Sequence, residues 1–323
     1  MTNDEMNGIM DKDQFPGAST TTRTQTTYNH SSVANQGNLY KPDRSITAQG
    51  HMPTGQSHGG NAVLTIDITS ACNHACEFCY QTRKGQLSLS TVLDLARKHT
   101  AETVELGGGE PFLHPDFIKM IRGIRDMGKD VHIATNGSVI PRSFYKLSQQ
   151  ARRDSDGNGI DVQVSMHAPE AGLHKTITGV DDFDVIQRNI KQLRDNYQTS
   201  LSANIYSRNK DAVPDLLALA ERLGLPLRIN LVFPIGKGKS IETGQSEEVS
   251  MLWPSEVDRL RGYLLEQRAL GRKVDSPLIH DNVCTALERY YSMPKTGKCP
   301  MVCGKRYISP DGKTHKCEFG GSR

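Results

Sequence analysis

From Asn61 onward the chain repeats one pattern, a short segment of alternating apolar and polar residues followed by a longer stretch with apolar residues at helical spacing. Residues 64–69, 103–106, 130–134, 160–165, 201–205 and 227–232 alternate with period two, which predicts six strands. Residues 90–99, 115–127, 141–151, 183–196 and 211–223 lie between them and read as amphipathic helices. Strands and helices that alternate this regularly imply parallel strands joined by crossovers. The expected fold class is therefore α/β, a partial (β/α)6 barrel, with an open doubly wound sheet as the alternative. The phase of the strands says what the barrel holds. With Ile66, Val131, Val162, Val164, Ala203 and Ile229 facing the helices, the opposite face carries Thr65, Asp67, His132, Gln163, Ser165, Ser202, Asn204, Arg228 and Asn230. A closed eight-stranded barrel fills its interior with branched apolar side chains, so this set predicts a wetter lumen able to hold a polar ligand. An ordinary half-exposed sheet is the other reading.

The first 60 residues behave differently. They are rich in Thr, Ser, Asn, Gln, Gly and Pro and offer few core-forming side chains, so residues 1–60 are expected to form a disordered polar tail. Residues 61–250 are assigned to the barrel and 251–323 to a C-terminal helix with a cysteine-rich extension. The net charge is only +3, from 39 Lys and Arg against 36 Asp and Glu, too small a surplus to point to nucleic acid or an anionic membrane. No stretch is long and apolar enough to span a bilayer, and no secretory signal opens the chain. A cytoplasmic location is expected, and it changes how the seven cysteines read, because a reducing compartment favours metal ligands or reactive thiols over disulfides. They fall in two groups: Cys72, Cys76 and Cys79, then Cys284, Cys299, Cys303 and Cys317.

The first group follows the first strand directly, at the strand end where barrel enzymes place their sites. Three thiolates bind three irons of a [4Fe–4S] cubane and leave the fourth iron without a protein ligand. Zinc is the alternative, with His74 offered as fourth ligand, although the x3/x2 spacing fits zinc ribbons poorly. Cys72-x3-Cys76-x2-Cys79, with Phe78 before the last cysteine, resembles the signature of radical S-adenosylmethionine (radical SAM) enzymes. Gly108-Gly109-Glu110-Pro111 resembles the family's GGE segment, whose backbone receives the amino group of SAM. Thr135-Asn136-Gly137 and Ser165 stand where family members contact the SAM ribose and carboxylate, and Phe78, Val232 and Phe233 where they flank the adenine. The resemblance covers about residues 62–320. It implies that SAM chelates the open iron, that one electron cleaves it to a 5′-deoxyadenosyl radical, and that the radical abstracts a substrate hydrogen atom.

The second group surrounds Pro310-Asp311-Gly312, a strong hairpin-turn signal, so a hairpin is expected to return Cys317 toward Cys303. This region resembles the SPASM or shorter twitch extension of radical SAM proteins and implies a second [4Fe–4S] cluster on Cys299, Cys303 and Cys317. Cys284 is its fourth ligand, an inert buried thiol, or a hydrogen-atom donor to a substrate radical as in family epimerases. A zinc knuckle is the alternative for these four cysteines. Lys237 or Lys239, after the sixth strand, either meets an anionic part of the substrate or lies in a solvated turn, and His132, His167 and His174 read as structural rather than acid–base groups. The resemblance implies an oxidoreductase or maturase that oxidises, epimerises or cross-links a peptide or a polar natural-product precursor, fed by an electron donor such as flavodoxin or ferredoxin. Two alternatives stand beside it. One is molybdenum-cofactor-type GTP cyclisation, against which the run Gly-Lys-Arg-Tyr after Cys303 replaces the alternating arginines of that relative; the other is a non-enzymatic zinc or Fe–S protein.

Overall fold

The structure is a computed structural model that describes residues 63–151, 159–238, 250–280, 287, 291 and 306–315. Strands β1 (Val63–Thr69), β2 (Thr103–Gly108), β3 (Asp130–Thr135), β4 (Ile160–Ser165), β5 (Gln198–Ile205) and β6 (Leu227–Leu231) pair side by side, in parallel and in chain order. Helices α1 (Leu89–Lys98), α2 (Phe117–Arg125) and α3 (Arg142–Ala151) make the first three returns, α4 (Ala171–Thr178) and α5 (Phe183–Asn196) share the fourth, and α6 (Val213–Leu223) makes the fifth. The expected six-unit α/β arrangement is the one observed. Two additions lengthen the sheet. After α7 (Pro254–Ala269), the short strand β7 (Val274–Asp275) pairs in parallel with β6. At the other edge β8 (Arg306–Ile308) pairs in parallel with β1 and turns back as β9 (Thr314–His315), giving the order β7-β6-β5-β4-β3-β2-β1-β8-β9.

Local chemistry sets the element ends. Ser88 caps α1 by accepting from the Thr91 amide, and Arg97 and Lys98 sit in its last turn, where the helix dipole favours cations. Pro214 opens α6 and Gly224 closes it in the left-handed conformation at φ 69°. The core lies between sheet and helices. Ile66, Leu106, Ile133, Val164 and Ile205 meet Met120, Ile124, Ile186 and Ile190 there, each essentially excluded from water, and burying one such side chain contributes roughly 1.5–3 kcal/mol.

Several of the polar residues assigned to the inner face are hydrogen-bonded. Asn230 Nδ2 donates to Ser202 Oγ at 3.0 Å, and Thr65 Oγ1 to Glu105 Oε2 at 3.2 Å. Asp67, 1% exposed, accepts from Gln81 Nε2 at 2.7 Å, Tyr307 of β8 at 2.7 Å and Tyr80 at 3.3 Å, all on Oδ2. Hydrogen bonds of this kind offset the cost of burying these polar groups. Among the described residues no helix is long and apolar enough to cross a membrane.

Candidate metal and cofactor centre

The chain leaves β1 at Thr69 and enters a loop that carries Cys72, Cys76 and Cys79, all three as free thiols. Burial pushes the Cys76 thiol up to about 12, with repulsion from Cys79 and Cys72 adding to it. Burial also raises Cys72, and the backbone amide of His74, 3.4 Å from its Sγ, opposes the rise. The Cys72 and Cys76 sulfurs thus resist charging, chiefly because they are buried, and a bound cation would offset that cost. Three soft donors with no fourth thiol among the described residues suit three irons of a [4Fe–4S] cluster better than closed tetrahedral zinc. His74, the suggested fourth zinc ligand, has its Nε2 2.7 Å from Asp182 Oδ2 instead.

The loop is held on several sides. Toward β3, Asn73 Nδ2 donates to Ser138 Oγ at 2.8 Å and Asn136 Nδ2 donates to Asn73 Oδ1 at 2.9 Å. Toward α4, the amides of Ala75 and Glu77 donate to the carbonyls of Thr178 and Ile177 at 2.8 and 3.2 Å. Glu77 accepts from Arg208 Nε at 2.7 Å and from the Tyr206 hydroxyl, beyond β5. After β6 the chain comes back over the loop: Lys237 N donates to the Cys79 carbonyl at 2.9 Å, and its ammonium lies 3.4 Å from the Ala75 carbonyl. Gly236, at φ 64°, has no room for a Cβ, which would stand 2.5 Å from the Cys79 carbonyl oxygen.

The glycines after β2 have a similar purpose. A Cβ on Gly108, itself at φ 129°, would collide with the Thr69 carbonyl, and one on Gly109 with the Ala71 carbonyl, so both positions let β2 approach the start of the cysteine loop. Gly109 N and Glu110 N donate to those same carbonyls at 2.7 Å each. The Glu110 carboxyl accepts from Thr135 Oγ1 at 2.7 Å, Asn136 N at 2.7 Å and Phe112 N at 3.2 Å. Burial drives it up to about 7 against those three donors.

Phe78 packs with Ala168, Ile177, Tyr206 and Val232 in a small apolar cluster that Cys76 borders, so Phe78 and Val232 come together as expected. Phe233 does not join them; it packs on the main core, its ring 5.9 Å from that of Tyr291. Ser165 ends β4 opposite Ser202. His167 is buried against Phe78, ring centroids 4.8 Å apart, with Nδ1 accepting from Asn204 N at 3.1 Å. Burial pushes it down to about 3, so the ring is neutral and the proton sits on Nε2, in keeping with a structural part.

The hairpin expected between the C-terminal cysteines forms. Ser309-Pro310-Asp311-Gly312 turns β8 into β9, with Gly312 N donating to the Ser309 carbonyl at 2.8 Å. Cys284, Cys299, Cys303 and Cys317, and Lys239, lie outside the described residues.

Residues 66–220, which include the cysteine loop, the double glycine and the ends of β3 and β4, match the radical SAM superfamily. That stretch is a radical SAM region. The "Probable GTP 3',8-cyclase" of Saccharolobus solfataricus is 30% identical to it over 188 residues, 54% of this chain and 58% of that protein. The counterpart from Sulfurisphaera tokodaii is 29% identical over 189 residues, so the match spans little more than half the length of these curated relatives. Among solved structures, Streptococcus suis SuiB bound to its precursor peptide SuiA superposes with a TM-score of 0.61 at 15% identity, covering 79% of this chain and 59% of SuiB. The enzyme anSMEcpe with bound AdoMet superposes at 0.58 with 17% identity, covering 81% of this chain and 75% of that one. At those identities the likeness is one of fold.

Glu77, Tyr206, Arg208 and Asp182 escape a reading of the sequence. Only Glu77, a charge set between Cys76 and Phe78, leaves a local sign; the others reach the loop through the order of the sheet.

Proposed function

We propose that this radical SAM chain is an enzyme that holds a [4Fe–4S] cluster on Cys72, Cys76 and Cys79, binds SAM beside it, and abstracts a hydrogen atom from a polar substrate in the lumen. The observation that carries this reading is a loop of three free thiols, clamped by α4, β3 and the turn after β6, at the mouth of a sheet with polar inward positions. When bound, the cluster and SAM supply a 5′-deoxyadenosyl radical. The residues around them position, enclose and exclude. Gly108 and Gly109 bring backbone close to the loop, where they and Glu110 are assigned to the SAM amino group; Thr135, Asn136 and Ser165 are assigned to its ribose and carboxylate. Phe78 and Val232 offer an apolar wall for the adenine, with Phe233 on the neighbouring core, and the same wall keeps water from a reactive intermediate. Neutral His167 adds no charge there. Cys299, Cys303 and Cys317, with Cys284 as ligand or hydrogen donor, are assigned to a second cluster in a twitch-like extension over residues 251–323. Electron delivery by flavodoxin or ferredoxin in the cytoplasm belongs to the same reading.

Oxidation, epimerisation or cross-linking of a peptide or polar natural-product precursor is the proposed outcome. A second reading, GTP 3′,8-cyclisation, is favoured by the 30% identity to the Saccharolobus relative. Anaerobic reconstitution with iron and sulfide tests the central claim: the protein turns brown and, under reduction, converts SAM to 5′-deoxyadenosine, and Cys72→Ala, Cys76→Ala and Cys79→Ala each abolish that conversion. Zinc without iron in anaerobically purified protein defeats it. Adding GTP separates the two substrate readings, since consumption of GTP coupled to 5′-deoxyadenosine selects the cyclase.

A further inference from the structure

The segment between the first two cysteines is anchored by a carboxylate more than a hundred residues away. His74 Nε2 lies 2.7 Å from Asp182 Oδ2, and His174 Nε2, from α4, lies 3.0 Å from Oδ1 of the same side chain. Both imidazoles are almost wholly buried, at 3% and 1% exposure, and Asp182 at 12%. The distances are those of hydrogen bonds, so each ring donates Nε2–H and the carboxylate accepts twice. A second observation is independent of the first. Asp182 occupies the N-cap position of α5, where an aspartate ordinarily accepts from the amides of the first turn, yet it makes no such bond. Its oxygens are committed to the two histidines. The backbone continues the same attachment. Ala75 N and Glu77 N donate to the carbonyls of Thr178 and Ile177, which end α4 and have no partner within their own helix.

We propose that Asp182 is a positioning residue for the cofactor centre: through His74 and His174 it latches the cysteine loop onto α4, so that the loop takes its conformation before metal arrives. The proposal rests on the assignment of Cys72, Cys76 and Cys79 as cluster ligands, and it adds that their convergence is built into the protein. A loop ordered beforehand gives up little conformational freedom on binding; a loop that orders only around metal loses affinity by that amount. The neighbouring clamp of Glu77 by Arg208 and Tyr206 acts on the other end of the same segment.

The test reads the latch without the cofactor. In metal-free, reduced full-length protein, hydrogen exchange at the Ala75 and Glu77 amides is expected to speed up about tenfold or more in Asp182→Ala, the factor that goes with one charge-assisted hydrogen bond. His74→Leu, which removes one arm and leaves Asp182 with His174, is expected to shift the same amides in the same direction while α4 and α5 keep wild-type protection. Asp182→Asn, which still accepts from one ring, is expected to recover part of the protection. In reconstituted protein, iron release to a chelator is expected to quicken in the same order. Unchanged exchange at both amides in a folded Asp182→Ala overturns the proposal, as does one equivalent of zinc in wild type that departs with Asp182, which would make the trio a metal site. If wild type takes up no iron yet the amides respond, the cluster assignment fails and the latch stands.

Discussion

Replacing Glu110 by glutamine isolates one ionisation in the bracket that joins the ends of β2 and β3. The side chain is fully buried, with Oε1 accepting from Thr135 Oγ1 and Phe112 N and Oε2 accepting from Asn136 N. Burial opposes the charge and three donors favour it, and burial wins, moving the group from the ordinary 4.5 to about 7. A carboxyl that holds its proton more tightly in the fold than in the unfolded chain contributes stability that is complete below 4.5 and lost as pH rises to about 7. At roughly 1.4 kcal/mol per pH unit the full loss is about 3 kcal/mol, of which about 2.5 kcal/mol falls between pH 5 and pH 8. The amide of Glu110→Gln does not titrate. Its oxygen can keep the Asn136 amide and its NH2 can turn to Thr135 Oγ1, while Phe112 N loses an acceptor, a fixed penalty at every pH. The assay is urea unfolding of metal-free, reduced wild type and Glu110→Gln at pH 5 and pH 8. Wild type is expected to lose about 2.5 kcal/mol relative to the variant on going to pH 8. A difference constant to within about 0.5 kcal/mol shows that the carboxyl does not titrate in this range and that the balance struck here is wrong. A change of opposite sign shows that the donors prevail.

Three further outcomes follow from contacts around the loop. Lys237→Met removes a cation whose field lowers the Cys76 thiol and whose ammonium sits by the Ala75 carbonyl, so the midpoint potential of the reconstituted cluster is expected to fall by on the order of 50 mV in an EPR-monitored titration. An unchanged potential refutes it. Gly236→Ala forces a Cβ onto the Cys79 carbonyl at a left-handed φ and is expected to cost roughly 1–3 kcal/mol and to lower iron per chain on reconstitution, read by unfolding and metal analysis. Tyr307→Phe removes one of three donors to buried Asp67 and is expected to cost about 1–2 kcal/mol in urea; a neutral effect means that β8 is not held there through its hydroxyl.

The parts that showed in the sequence are those fixed by local chemistry. Ile160, Val162 and Val164 alternate as buried against half-exposed Asp161, Gln163 and Ser165, so β4 announces itself, and Pro310-Asp311-Gly312 marks its own turn. What stayed hidden depends on partners. Residues 198–200 are Gln, Thr and Ser, with no apolar alternation, and are strand because they pair with Asp161, Val162 and Gln163 of β4. β7 and β8, two and three residues long, exist only as partners of β6 and β1. Helix α4, eight residues long, is absent from the predicted helices: it is capped by Glu170, which is not among the usual N-cap residues and whose carboxylate accepts from the first-turn amides, and Gly179 closes it at φ 77°. The thiol loop shows in the spacing of its cysteines, whereas the partner of His74 stands more than a hundred residues on and becomes its neighbour only when α4 and α5 share one crossover.

The residues that hold the loop and the polar pair on β5 and β6 are different sets, and that separation has a physical reason. Asp182, Arg208 and Lys237 reach the loop from outside the strands, from the start of α5, the segment after β5 and the turn after β6. Ser202 and Asn230 pair across β5 and β6 with no contact to the loop among their hydrogen bonds. A change at Ser202 or Asn230 is therefore expected to leave the thiol loop in place. Asp67 is a different case, because it takes donors from Tyr80 and Gln81, just past Cys79, and from Tyr307 on β8. Three donors on one carboxylate oxygen at 1% exposure leave little tolerance for a changed group. A substitution there is expected to disturb the loop and the C-terminal hairpin together, where one at Ser202 is expected to disturb only its pairing with Asn230.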